Sequence, residues 1–209
     1  LYQTTRGNYR NCVFVGKDEN GVPRSAFQRG CQGSFRGDVA GSQKQYGFLI
    51  PAEIETCDTV EIYEAPIDAM SGATLRQYKH DSPWRSVHYL ALGGLNHQPI
   101  DYFLQQHPEV KRVSLCFDRD DPGRNFTKIV AKQLAERGYI VQDAPPAIGK
   151  DYNDYLLAAR RLMQGGVRVN PLDMLSPISK VSCQGLLMLP AQLLQLQTKK
   201  AVWAKRPPQ

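Results

Sequence analysis

The stretch "RVSLCFDRDDPGRN", residues 112–125, decides how the rest of the chain is read. Its first half, with Val113, Leu115 and Phe117, is apolar and β-favouring and predicts a strand over 112–118. Its second half sets Asp118, Asp120 and Asp121 within four positions and then breaks at Pro122-Gly123. Carboxylates this close raise one another's pKa and repel, so the cluster costs stability unless water, a cation or basic groups compensate. Asp121 is the expected N-cap of a helix running from Pro122 to about Arg137, with Gly138 as its stop. An EF-hand is excluded, because Pro122 falls at the fifth loop position and Ile129 at the twelfth.

Working outward, strands and helices alternate. "TVEIYE" (59–64) reads as a strand, and Pro66 opens a helix to about Tyr78, where its missing N–H costs nothing. "SVHYLAL" (86–92) is the next strand, followed by Gly93-Gly94 and a helix near 98–107; "YIVQD" (139–143) and a helix over 151–163 close the series. Such alternation predicts an α/β fold, a parallel sheet flanked by helices on both faces. Ligands of such sheets bind beyond the C-terminal strand ends. Glu64 ends the first of these strands, Asp118 ends the third, Asp120 follows in its loop, and Asp151 opens the last helix. Acids distant in sequence are thereby expected at one rim, where a divalent cation would cancel their repulsion. Mg²⁺ suits an oxygen-only donor set shared with substrate phosphates, and phosphoryl transfer is the matching chemistry.

The first 56 residues read differently, as a small antiparallel β-rich module. Two β-rich runs flank Asn20-Gly21, a strong hairpin signal, and "SFRGDVAGSQKQYGFLIP" (34–51) is rich in glycine and aromatics. The expected domains are therefore 1–56, 57–164, and a basic C-terminal extension, 165–209, read as partly disordered. Charge is uneven within the net +6: residues 1–50 carry seven Lys/Arg against three Asp/Glu, residues 165–209 six against one, and the centre is net acidic. Basic flanks around an acidic centre fit a polyanion held near a metal. Arg24, Arg29, Arg36 and Lys44 interleave with Phe27, Phe35 and Tyr46, a pattern that suits a single-strand platform, although Phe27 and Phe35 read as core. Five widely spaced cysteines without a C-x-x-C pair read as reduced and mostly buried. His80, His88, His97 and His107 show no ligand spacing and read as structural or surface residues. No apolar run approaches the roughly 20 residues that span a bilayer, and no secretory signal opens the chain, so a cytoplasmic location is expected.

Taken in order, Glu64, Gly93-Gly94, Asp118-Arg119-Asp120 with Gly123, and "GKDYND" (149–154) resemble the Toprim domain over about residues 57–160. That domain is shared by topoisomerases, bacterial primases and several nucleases. The resemblance implies that Asp118 and Asp120 bind Mg²⁺ or Mn²⁺ and that Glu64 acts as general acid or base or joins the metal shell. Asp68 and Asp151 match further metal-facing acids of the primase branch. Two positions depart from the pattern: Ala65 stands where glycine often follows the glutamate, and Asn153 where primases usually carry a second aspartate. The preceding "GDVAGSQKQYGF" (37–48) is similar to a poorly characterised domain found before Toprim domains in proteins of plasmids and conjugative elements. Lys150, Arg119, Arg124, Arg36, Ser42 and Lys44 are the expected phosphate contacts. The expectation is a Mg²⁺-dependent enzyme acting on nucleic acid, DNA foremost, as a primase-like polymerase or a nuclease of a mobile element, alongside replication or conjugation proteins. The alternative is a catalytically degenerate nucleic-acid-binding module of a replication or transfer complex.

Overall fold

A computed structural model describes residues 10–78 and 83–164. The expectations for the C-terminal extension, His80 and Cys183 fall outside the described residues. Strands β1 (Asn11–Lys17), β2 (Pro23–Gly30) and β3 (Arg36–Asp38) form an antiparallel sheet in that order. The hairpin turns where Asn20-Gly21 predicts it: Gly21 has φ +77°, and Asp18 Oδ1 accepts the backbone N–H groups of Asn20 and Val22 at 3.0 and 2.9 Å. A short polar side chain thus satisfies the donors that a tight turn leaves open.

The second sheet has the order β4-β6-β5-β7-β8, from β4 (Phe48–Ile50), β5 (Thr59–Tyr63), β6 (His88–Ala91), β7 (Arg112–Leu115) and β8 (Ile140–Asp143). Its last four strands are mutually parallel, and β4 joins β6 antiparallel at the edge. The third strand of the cluster is shorter than its apolar run, ending at Leu115 rather than Asp118. β4 comes from the glycine- and aromatic-rich stretch assigned to the first module. Its three apolar residues complete the larger sheet's edge, where they pair with Tyr89, Leu90 and Ala91.

Successive strand residues face opposite ways, and each face meets its own helices. Val60, Ile62, Val113 and Leu115 pack with Ile100 and Phe103 of α2 (Gln98–Gln106) and Val130 and Leu134 of α3 (Asp121–Glu136). Glu61 and Tyr63 face α1 (Pro66–Gln77) and α4 (Tyr152–Gln164), where Gly72 and Tyr152 pack on the Tyr63 ring. Fully covered parallel strands explain the nearly unbroken apolar runs. No helix of the described residues is long and apolar enough to cross a membrane.

Candidate metal and phosphate site

Because β5 and β7 are parallel neighbours, their C-terminal ends deliver Glu64 and Asp118 to the same rim. The backbone carbonyl of Glu64 accepts N–H groups from Gly93 and Gly94 at 2.9 and 3.0 Å, and both glycines take the positive φ this double contact needs. Asp118 is 8 % exposed. Its carbonyl accepts Arg124 Nε at 3.2 Å, and a Cβ on Gly123 would stand 2.4 Å from that oxygen, so only glycine lets α3 start so close.

The helix cap is Asp120, one residue earlier than the sequence suggests. Its Oδ1 accepts Gly123 N–H at 2.9 Å, and Asp121 is an exposed first-turn residue. Pro122 cannot donate, so Gly123 supplies the first N–H that a capping carboxylate can reach. The cap uses one oxygen of Asp120 and leaves Oδ2 turned to the rim, 3.0 Å from Lys150 Nζ. The same ammonium stands 3.5 Å from Asp118 Oδ2. Asp151 is arranged like Asp120, with Oδ1 accepting Asp154 N–H at 2.7 Å at the start of α4. Asp68, 7 % exposed in the first turn of α1, accepts Asn153 N–H at 3.1 Å. Asn153, the departure from the primase pattern, therefore serves through its backbone.

The electrostatics record this convergence. Burial, then the charges of Asp118 and Asp120, raise the Glu64 carboxyl above the ordinary range. Burial also raises Asp118, against the pull of Lys150. Burial and the neighbouring Asp151 push Asp68 up to about 7. Asp120 is lowered by the Gly123 N–H and by Lys150. In the folded protein Asp68 keeps its proton through a pH range where an unfolded aspartate has lost it, so its contribution falls as pH rises from roughly 4 to 7 and is flat above. Asp68→Asn retains the Asn153 contact and removes the titration. In chelator-treated protein its pH–stability slope should be shallower than wild type, with a gain in stability over wild type that is largest above pH 7. Denaturant titrations from pH 4 to 8 check this, and an unchanged slope would refute it.

The basic residues divide. Arg36 is exposed and its charge reaches Glu64. Arg119 is exposed, and its backbone N–H ties it to Lys150 O at 2.8 Å. Arg124 is engaged internally: it grips both oxygens of Asp143 at 2.9 and 3.0 Å and also Thr127 Oγ1, which suits positioning Asp118 more than meeting phosphate. Ser42 Oγ clasps its own loop through Val39 O and Ala26 N–H, and Lys44 pairs with Asp38. Phe35, in the loop between β2 and β3, is 55 % exposed and so is not core.

Two features were missed by the sequence reading. His88, His107 and Glu109 bring ligand atoms within 4.8 Å of one another near the opposite strand ends. His88 Nδ1 accepts Ala52 N–H at 3.2 Å, which leaves the neutral ring's proton on Nε2, and His107 Nδ1 lies 2.8 Å from Glu109 Oε1. Cys12 and Cys31 place their sulfurs 3.7 Å apart, Cys31 exposed and Cys12 half-buried; Cys57 and Cys116 are buried as expected. Cross-strand neighbours of this kind carry no sequence spacing that announces them.

A mostly parallel sheet flanked by helices, with acids from separate strand ends at one rim, defines an α/β domain. Residues 61–156 match the family described as Toprim-like, and residues 1–54 match the family described as a protein of unknown function, DUF3991. The chain carries a Toprim-like domain preceded by a DUF3991 domain. No curated protein matches the chain. Among solved structures it is similar to the primase fragment of the bacteriophage T7 primase-helicase protein, with TM-score 0.53 and 17 % identity over 82 % of this chain and 65 % of that one. It is also similar to the zinc-binding and RNA polymerase domains of the Aquifex aeolicus primase, at 20 % identity and TM-score 0.47 over 79 % of this chain. The chain thus spans less than two thirds of either relative, 65 % and 43 %.

Proposed function

We propose that the chain binds nucleic acid, DNA foremost, and carries out Mg²⁺- or Mn²⁺-dependent phosphoryl transfer at this rim, as a primase-like polymerase or a nuclease. The observation that carries the reading is that Oδ2 of Asp118 and Oδ2 of Asp120 converge on one cation, the Lys150 ammonium. Two carboxylate oxygens aimed at a point already suited to positive charge, with Glu64 close by, fit a hard divalent ion. Asp118 and Asp120 would hold it, with Glu64 beside them and Asp68 and Asp151 behind. When bound, such an ion neutralises charge developing on a transferring phosphoryl group.

The chain's own residues supply the rest. Glu64, half-buried at the same rim, is placed to exchange a proton at the reacting oxygen or to join the metal shell. Arg36, Arg119 and Lys150 line the approach for phosphates. Asp120 and Gly123 lock the loop, so that Asp118 is oriented before substrate arrives.

Labelled single and double strands incubated with and without Mg²⁺ and nucleoside triphosphates should yield shortened or extended products only with the metal. Absence of any product, together with strand binding indifferent to Mg²⁺, would favour the accessory-module alternative instead.

A further inference from the structure

We propose that Lys150 is the resting counter-ion of the acidic rim, which yields its place on Asp118 and Asp120 to the divalent cation and turns its ammonium to a substrate phosphate. This rests on reading the rim as a metal site.

Three features carry it. First, the lysine holds the oxygens that a metal needs. Asp120 Oδ1 is committed to the helix cap, so Oδ2 is its free face to the rim, and Lys150 Nζ sits there at 3.0 Å. The matching oxygen of Asp118 is 3.5 Å away. The ammonium occupies the space between the two carboxylates and, being positive, repels a divalent ion that enters there.

Second, the lysine backbone is fastened in the loop, while its head reaches out to the two rim carboxylates. Lys150 O accepts Arg119 N–H at 2.8 Å, and Lys150 N–H donates to Asp154 Oδ2 at 3.1 Å. These contacts clasp the loop to the Asp118–Asp120 turn, so any exchange is a side-chain swing on a flexible four-carbon stem. Third, the side chain comes from the solvent side: it is 57 % exposed, against 11 % for Asp118 and 34 % for Asp120. An ammonium leaving the carboxylates moves outward, towards the face where a nucleic-acid backbone would approach. The exchange breaks no covalent bond and requires no co-reactant.

The test is Mn²⁺ affinity, read by the loss of free-ion paramagnetic resonance signal, in wild type, Lys150→Met, Lys150→Gln and Asp118→Asn proteins of confirmed secondary structure. Removing the competing ammonium should tighten Mn²⁺ binding roughly three- to tenfold in both lysine variants, the range expected for losing partly exposed ion pairs. With Mn²⁺ saturating, the same variants should bind single-stranded DNA more weakly, with the salt slope reduced by about 1. If wild type binds Mn²⁺ in a way that Asp118→Asn abolishes, yet both lysine variants bind it equally or less well, the exchange is overturned and the metal site stands. If neither wild type nor the lysine variants bind Mn²⁺, both the exchange and the metal site fail. An unaltered salt slope overturns the hand-over to phosphate.

Discussion

Replacing Asp118 with asparagine is expected to cut Mg²⁺-dependent product formation on nucleic acid by at least about a hundredfold while leaving the fold in place. Loss of a mere outer partner of a metal ligand costs roughly 10- to 100-fold, so loss of a ligand charge should cost at least the upper figure. Asparagine keeps the size of a side chain that is 8 % exposed, and the clasp of Arg124 Nε on the residue 118 carbonyl involves only the backbone. Removing the charge also relieves Glu64, whose carboxyl Asp118 helps to raise, so the metal-free protein should not lose stability. Time courses of strand cleavage or extension, paired with circular dichroism melts, measure both halves. A variant retaining more than a third of wild-type turnover would defeat the assignment of Asp118.

The largest expected effect on stability lies away from the rim. Glu61, in the middle of β5 and 9 % exposed, is held by Arg76 Nη2 from α1 and by the Tyr63 hydroxyl, which donates to its Oε2 at 2.7 Å. Arg76→Ala removes the compensating charge and strands a carboxylate between sheet and helix, at a cost of about 3–5 kcal/mol. Pairing Arg76→Met with Glu61→Leu should recover most of that loss, because apolar replacement of both partners removes the desolvation penalty as well as the attraction. Arg85→Ala supplies the contrast. Its partner Glu53 and Arg85 itself are both about half exposed, so the expected change is below about 1 kcal/mol. Equilibrium urea unfolding of the four proteins tests the ranking, and an Arg76→Ala loss no larger than that of Arg85→Ala would refute it.

Much of the architecture was legible because the local signals agree. The alternation of apolar runs with amphipathic ones marks β5 to α4 in order, Pro66 marks the start of α1, and Asn20-Gly21 marks the hairpin. The acids Glu64, Asp118, Asp120 and Asp151 could be placed at one rim by a topological rule alone, since parallel strands share the direction of their C-terminal ends. Errors came where a residue's partner is distant or a choice lies between neighbours. Asp120 rather than Asp121 caps α3, because cap choice depends on which carboxylate reaches Gly123 N–H. The neighbours of the expected phosphate contacts Arg124, Ser42 and Lys44, namely Asp143, Val39 and Asp38, were likewise not legible.

By itself the amino-acid sequence determined the strand and helix order, the parallel sheet and the gathering of acids, because periodicity, turn residues and chain direction are local properties. Only the tertiary structure decided that β4 crosses to the larger sheet, that Glu61 is buried against Arg76, and that the Lys150 ammonium rests on Asp118 and Asp120. Each of these depends on groups fifteen or more residues apart meeting at distances of a few ångströms, and no local pattern records which long-range neighbour a strand edge or a charge will find.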